Sequence, residues 1–442
     1  MKTKVIYLFS FLIAILLLTR GLCEIYYVSP NGSSKWKDAR NIKTPCSPKT
    51  AMYNAKAGDI VYFLEGIYNL GKKNGDYFEG VLEPKWSGKP QKPIIFKAYP
   101  GATVILNATA GGKGDDPNVG TVLASYGKDY IIFDGFIIMA NNGYKTGRIV
   151  ISNGQMNRRV KNCIVKNCII VGSINSSGDN IEGLRVNDSS YTLIQNCVLY
   201  GFTTTTGSYN TSAIKTYHND HLIIENCEIY NSLVGIYLKS YTENSIIRYN
   251  YIHNNFIGIR FTTSDYPCNK NKFYHNILAH NKYNLTLIDE NKKTGTINDT
   301  QIFNNTIYSF IPGAWGVFIS HCARLRFYNN IVCTPGHQFV TGYRNVAETS
   351  ILEMDYNLFC GTPFEIIINI YPGVVFKSLY EWQESRLLIN NKKPDIHSIV
   401  SDPEFVNISK HMNNLFDFAL KKTSPCIGKG KNGTNIGADI NL

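Results

Sequence analysis

One short pattern recurs nine times through the middle of the chain, and it leaves few folds open. The copies read Ile-Phe-Asp-Gly135, Val-Lys-Asn-Cys168, Ile-Gln-Asn-Cys197, Ile-Glu-Asn-Cys227, Arg-Tyr-Asn250, Tyr-His-Asn276, Phe-Asn-Asn305, Tyr-Asn-Asn330 and Asp-Tyr-Asn357, with the marked positions 33, 29, 30, 23, 26, 29, 25 and 27 residues apart. Self-similarity at such a period marks a solenoid or another repeat array. The units are alternating β-formers broken by Asn, Gly and Ser, so no long amphipathic helix fits inside them, and helical and leucine-rich repeats fall away. What remains is an all-β chain: a right-handed parallel β-helix solenoid, single-stranded, of about ten to twelve coils, stacked about 4.8 Å apart.

The marked positions explain themselves in that fold. Equivalent residues of successive coils lie above one another, so a small polar side chain at a bend forms a ladder. A stacked Asn bridges its neighbours through amide donor and acceptor and satisfies backbone groups that the bend leaves buried. Cys is small and readily buried, and fills the same slot at Cys168, Cys197 and Cys227. Metal binding by these thiols is disfavoured, because they are a whole coil apart and lack clustered His partners.

The chain opens on basic Met1-Lys2-Thr3-Lys4, then an apolar run from Val5 to Leu18 broken only by Ser10, then Arg20-Gly21-Leu22-Cys23. That run is short for a membrane span and reads as an export signal over residues 1–23, which leaves no membrane segment in the remainder. Losing Lys2, Lys4 and Arg20 lowers the formal charge from +12 to +9. A basic exported protein meets an acidic polymer, such as a polyuronate, rather than nucleic acid. Ten of the 11 Cys stay after cleavage, compatible with disulfides among Cys46, Cys163, Cys268, Cys322, Cys333, Cys360 and Cys426. The expected organisation is one domain over 24–442, a monomer, with an N-terminal cap over 24–60 that contains a short helix between Thr50 and Lys56. Residues Asn107 to Asn118 read as a surface loop, and 361–442 as irregular closing coils.

Tyr26-Tyr-Val-Ser-Pro-Asn-Gly32, Ala57-Gly-Asp-Ile-Val-Tyr62 and Pro93-Ile-Ile-Phe-Lys-Ala-Tyr-Pro-Gly101 resemble the N-terminal signature of secreted pectate-lyase-like β-helix proteins. Asp402-Pro-Glu-Phe-Val406, Thr423-Ser-Pro-Cys426 and Asn435-Ile-Gly-Ala438 are similar to the closing segment of that superfamily, which mixes lyases, hydrolases, epimerases and non-catalytic proteins.

The second strand of each repeat aligns on a leading small or polar residue: Gly183, Ala213, Gly235, Gly258, Asn284 and Gly316. Two places on, alternation turns Arg185, Lys215, Tyr237, Arg260, Thr286 and Phe318 outward, and two further on come Asn187, Tyr217, Lys239 and Thr262. Basic groups, tyrosines and His218 thus gather on one face, as substrate-binding candidates for a polyuronate: cations for its carboxylates and aromatic faces for its rings. A lysine crowded by cations has a lowered pKa and is a better base for β-elimination. Ala213-Ile-Lys215-Thr, followed by Glu225-Asn-Cys227, resembles the catalytic stretch of the family-nine polysaccharide lyases, which implies Lys215 as the Brønsted base. The same resemblance implies calcium ligands about one coil earlier, at Asp179, Asn180 and Glu182, although Gly183 stands where that family has a further Asp. A second register, Lys239 with Arg260, is similar to the Lys/Arg pair of family-six lyases, but lacks the glutamates expected before Lys239. The function expected is an exported lyase acting on an acidic polysaccharide, with calcium as its implied cofactor. The alternative is a non-catalytic cell-surface β-helix that binds glycans or acts as a spacer. Hydrolysis needs paired carboxylates facing one sugar, and this face is basic.

Overall fold

The computed structural model describes residues 23–71, 82–110, 122–140, 146–153, 158–172, 179–264, 266–290, 297–342, 351–361, 364–368, 374–385, 389–407 and 414–440. The expected export signal therefore lies outside the described residues, apart from Cys23, and so does most of the loop expected after Asn107. Asn107 itself belongs to a strand, Val104–Ala110.

Short β-runs separated by tight bends wind into a coil with three faces, each a parallel sheet whose neighbouring strands come from successive repeats. The first and third sheets each hold 12 strands, and the second runs from Leu123–Tyr126 to Val374–Phe376. Twelve strands per sheet fall within the expected ten to twelve coils and exceed the nine marked copies, because the N-terminal coils lack the marked pattern. Strands of three residues point their middle side chain inward. Val165, Ile194, Ile224, Ile247 and Phe273 are buried one above the next in register in the first sheet. Identical spacing of apolar residues in every coil thus builds one continuous core, because each coil covers the apolar face of the last.

The expected ladder is present. Asn250 Nδ2 donates to Asn276 Oδ1 at 2.9 Å, Asn276 to Asn305 at 3.0 Å, Asn305 to Asn330 at 3.0 Å and Asn330 to Asn357 at 3.3 Å. Cys227 joins it through its backbone N–H, 3.0 Å from Asn250 Oδ1. Cys168 and Cys197 continue it as buried thiols. One alignment needs correcting. Asp134 pairs with Lys166, so Gly135 stands opposite Asn167 rather than Cys168, and buried Phe136 takes the ladder slot. The reason is backbone conformation. The residue before each ladder position is left-handed (Asn167 φ 54°, Asn196 53°, Asn226 53°, Asn304 52°), and Gly135, with φ 83°, occupies that position.

The helix spans Pro48–Asn54, two residues earlier than expected, because Ser47 caps it by accepting from Thr50 N at 3.1 Å and Pro48 suits the first turn. Ile25–Val28 pairs with Ile60–Phe63, so the N-terminal segment already belongs to the first sheet. At the far end Val374–Phe376 runs antiparallel to Ile366–Ile368, and a closing segment packs Phe405, Phe418, Cys426 and Ile436 onto Tyr251, Ile277, Tyr308 and Ile331. Among the expected disulfide candidates, only Cys333 and Cys360 are bridged, with Cα atoms 4.6 Å apart in register on adjacent strands. Cys46, Cys163, Cys268, Cys322 and Cys426 are buried and form no disulfide, the first four in the core of the coils and Cys426 in the closing segment. Burial pushes Cys46 and Cys163 up to about 11 and leaves them unreactive.

Asp395 closes the ladder from below. It accepts from Asn357 Nδ2 at 3.0 Å, Trp382 Nε1 at 2.8 Å and the Ser398 hydroxyl. Burial, outweighing those bonds, pushes its carboxyl up to about 6. A folded pKa above the unfolded one gives stability that is complete below the ordinary carboxylate value and is lost as pH rises through about 6. The unfolding free energy of wild type relative to Asp395→Asn should therefore fall by about 2 kcal/mol between mildly acidic and neutral pH. Denaturant titrations of both proteins at several pH values measure this, and parallel pH profiles would refute it.

Candidate functional site

The second sheet carries the expected row. Arg185 pairs with Lys215, Lys215 with Tyr237, Tyr237 with Arg260, Arg260 with Thr286 and Thr286 with Phe318. The leading glycines keep this register because no side chain fits at their places. A Cβ on Gly183 would lie 2.6 Å from Ala213 O and from the Phe202 ring, and one on Gly235 or Gly258 would be 2.6 Å from the backbone oxygen of the next coil.

Lys215 is 7% exposed, not the open outward side chain that alternation alone implies. The loop that precedes its strand folds over it. Its ammonium donates to Asn180 Oδ1 at 2.6 Å and Asn210 O at 3.3 Å, and lies 3.2 Å from Glu182 Oε1. Glu182 is fully buried and also receives Arg185 Nη2 at 2.8 Å, while its second oxygen finds no hydrogen-bond donor among the described residues. Burial lowers the Lys215 pKa; Glu182 opposes this, and Arg185 and Lys239 reinforce it. The combination holds an amine that sheds its proton more readily than a solvated lysine.

Tyr237, also buried, is the hub of the cations. Lys239 Nζ lies 5.2 Å from its ring centroid, the Arg260 guanidinium 5.3 Å and Lys215 Nζ 5.8 Å. Arg260 bonds Glu290 Oε1 at 3.2 Å, whereas Lys239 forms no ion pair among the described residues. Tyr217 and His218 stack at 4.0 Å at the end of the Lys215 strand, and Tyr241 and Tyr266 close on the imidazole at 4.5 and 5.9 Å. His218 Nδ1 is 3.1 Å from Asp188 Oδ1, and the ring is buried under these tyrosines instead of lying on the surface.

Asp179, Asn180 and Glu182 come together, but they do not fit a calcium ion. Calcium takes six to eight oxygens. Here Asn180 Oδ1 and Glu182 Oε1 are held by the Lys215 ammonium, and Asp179 accepts from the Ser208 hydroxyl, Asn180 N at 2.8 Å and Asn210 Nδ2 at 3.5 Å. Burial works to raise the Asp179 pKa, but these bonds and Lys215 lower it overall. A divalent cation would have to displace Lys215, and the clash at Gly183 denies the set a further carboxylate. Among the described residues no group of three or more His, Cys, Asp or Glu is placed to hold a metal.

Sequence reasoning missed Tyr209 and Asn210, on the loop 201–211, and Arg148. Arg148 is wholly buried on the strand Thr146–Ser152; burial lowers its pKa to about 10 and the Glu182 charge opposes that. The length of the 201–211 segment was the available signal, since the bends of the next two coils between these sheets, 231–233 and 254–256, have three residues each.

Residues 149–333 match the family model described as the right handed beta helix region. No curated protein matches the chain in sequence. Among solved structures the chain is similar to pectate lyase Pel9A, at 15% identity over 94% of this chain and 96% of that one, with a TM-score of 0.57. It is also similar to XylC in complex with xylose, at 13% identity over 87% and 88% with a TM-score of 0.50. A third is the GH136 lacto-N-biosidase of Eubacterium ramulus, at 12% identity over 76% of this chain and 64% of that chain, with a TM-score of 0.52. Likeness at such identities is likeness of fold. The chain has a right-handed parallel β-helix fold, and that fold is shared with pectate lyase Pel9A.

Proposed function

We propose that this chain is an exported lyase that cleaves an acidic, uronate-containing polysaccharide by β-elimination, with Lys215 as the base. The observation that carries the reading is the in-register row Arg185, Lys215, Tyr237 and Arg260, with a lowered lysine pKa at its centre. β-Elimination removes the proton α to the uronate carboxylate, breaks the bond to the leaving glycosidic oxygen and leaves a carbon–carbon double bond. It needs a neutral amine near that proton and cations that hold the carboxylate while charge develops on it. Arg185, Lys239 and Arg260 would supply the cations, and Tyr217, Tyr237 and His218 the walls. No step is assigned to calcium, because Asp179, the Asn180 side-chain oxygen and Glu182 Oε1 are committed to the chain's own cations and donors. Among the described residues no helix is long and apolar enough to cross a membrane.

A specific observation favours the second reading, a non-catalytic glycan-binding β-helix. The three N–H bonds of the Lys215 ammonium each face an acceptor, Asn180, Asn210 or Glu182, so as a cation it is fully satisfied. One screen separates the two. Purified protein is offered pectate first, then alginate and glycosaminoglycans, with and without a calcium chelator, and unsaturated uronate ends are followed by absorbance. Release of such ends, unchanged by the chelator, supports the lyase. Binding to these polymers with no release supports the binding module. In either case affinity should fall as salt rises, because the exposed charges are screened. Equal affinity for a neutral glucan would refute the polyuronate lyase and favour the general glycan-binding reading.

A further inference from the structure

Beside the basic row runs a strip of aromatic rings that the reading above does not use. Phe256 ends the three-residue bend before the strand Ile257–Thr263, on the Arg260 coil. Tyr209 belongs to an earlier coil, yet its ring lies nearly parallel to that of Phe256, with centroids 5.8 Å apart and planes 9° apart. The eleven-residue segment 201–211 makes this possible by reaching along the coil axis past the intervening coil. Its tip is anchored on both sides of Tyr209. Ser208 and Asn210 bond Asp179, Asn210 O accepts from Lys215, and Thr211 N donates to Ser208 O at 3.1 Å.

Anchored so, the loop holds a large ring where burial does not require it. Tyr209 is 43% exposed and Phe256 39%. The strip continues along the axis, with Tyr283 edge-on to Phe256 at 5.3 Å and Trp315 edge-on to Tyr283 at 5.5 Å. The Arg260 guanidinium lies 5.2 Å from the Tyr209 centroid and 5.3 Å from that of Tyr237, between the strip and the row. Flat exposed rings suit the C–H face of a sugar, and the adjoining guanidinium suits a carboxylate.

We infer that Tyr209 and Phe256 form a sugar-stacking subsite, in which one uronate ring of the polymer lies on the aromatic step with its carboxylate on Arg260. Resting on the reading above, this assignment runs the polymer along the coil axis, with Lys215 on one side of the subsite and Tyr283 on the other. A neutral glucan would meet the rings but not the arginine, and polyphosphate the arginine but not the rings. Only a uronate chain uses both.

Affinities are measured by calorimetry for galacturonate, mannuronate and guluronate hexamers, for cellohexaose and for polyphosphate. Phe256→Ala should weaken the best-bound uronate hexamer about tenfold, the scale of losing one stacked ring, and leave polyphosphate unchanged. Tyr209→Ala should do the same. Phe256 is the cleaner probe, since it leaves the Ser208 and Asn210 bonds intact. If the wild type cleaves, the loss should appear in KM with kcat preserved. Tyr380→Ala, a 72% exposed ring on the helix Leu379–Gln383, serves as the control with unaltered affinity. Wild-type binding that Phe256→Ala leaves unchanged overturns the subsite alone. A wild type that binds no uronate hexamer overturns the functional reading and the subsite with it.

Discussion

Lys215→Met should release unsaturated uronate ends at least about a hundredfold more slowly than the wild type, the lower bound for removing a general base. Methionine keeps most of the packing of a side chain that is nearly buried, so the loss reports chemistry and not collapse. Glu182 stays paired, because Arg185 Nη2 remains 2.8 Å from Oε1. Lys215→Arg should fail as completely, since a guanidinium stays protonated at any usable pH. Wild-type activity should rise with pH through the Lys215 pKa. Burial places that pKa below the usual lysine value with help from Arg185 and Lys239 and against Glu182, so the rise should begin at lower pH than for a solvated lysine. Glu182→Gln removes the nearest opposing carboxylate and should shift the rise to lower pH still. The base must also exchange a hydrogen bond, to Asn180, Asn210 or Glu182, for the substrate proton. Asn180→Ala, by freeing one N–H, should shift the same pH profile without abolishing activity. If Lys215→Met cleaves at the wild-type rate, the assignment is wrong, and Lys239, beside Tyr237 and without an ion pair among the described residues, becomes the next base to test.

How far the sequence disclosed this arrangement depended on whether a feature repeats once per coil. The Asn ladder was legible because each rung falls at the same place in the repeat and one hydrogen-bonding scheme serves every rung. The register of Arg185, Lys215, Tyr237 and Arg260 was legible for a related reason: the close approach of coils excludes a side chain at Gly183, Gly235 and Gly258, which marks the start of each strand. At Gly135 the same logic misled, since a glycine serves the left-handed position next to a ladder as readily as the ladder itself. A second ladder, Ser232, Asn255 and Asn281, passed unnoticed although Asn255 Nδ2 donates to Asn281 Oδ1 at 3.1 Å, because it spans too few coils to stand out as a period.

The site was less legible, because its particulars come from departures from the repeat. Alternation places Lys215 outward, but Asn210 of the 201–211 loop, with Asn180 and Glu182 of the preceding coil, encloses it. Glu182 reads as a turn carboxylate or a calcium ligand until Arg185 and Lys215 are seen on one of its oxygens. Tyr209 and Phe256 are 47 residues apart and no local pattern joins them. The pairing of Cys333 with Cys360 follows from their register, which the spacing of seven candidate cysteines does not specify.

Asn305→Leu should destabilise the middle of the solenoid by about 3 kcal/mol. In the wild type, Asn305 Nδ2 donates to Phe273 O at 2.9 Å and to Asn330 Oδ1 at 3.0 Å, and Oδ1 accepts from Asn276 N at 3.1 Å and Asn276 Nδ2 at 3.0 Å. A fifth bond, from Nδ2 back to Phe303 O at 3.1 Å, stays within the bend. Leucine removes it and the four between coils. Two of those four losses are partly made good, since Asn330 Oδ1 still receives Asn305 N at 3.0 Å and Asn276 Nδ2 still reaches Ile247 O at 2.8 Å. The other two are not. The Asn276 N–H and the Phe273 carbonyl oxygen are left buried without these partners, and each such backbone group costs about 1–3 kcal/mol. Leucine also adds apolar volume at a closely packed bend, which a stack of coils absorbs poorly. Asn305→Cys separates the two causes, because the chain itself places Cys168, Cys197 and Cys227 at equivalent slots. The thiol fits, so cysteine should lose the amide bonding alone and cost less than leucine but more than nothing. Because solenoid stability depends on contacts between neighbouring coils, the damage should be local. Amide hydrogen exchange should accelerate first at Asn276, Ile277 and Thr306, and least at Val61 in the N-terminal coils. Unchanged exchange and an unchanged denaturant midpoint in Asn305→Leu would mean that the ladder ornaments the bend without holding it.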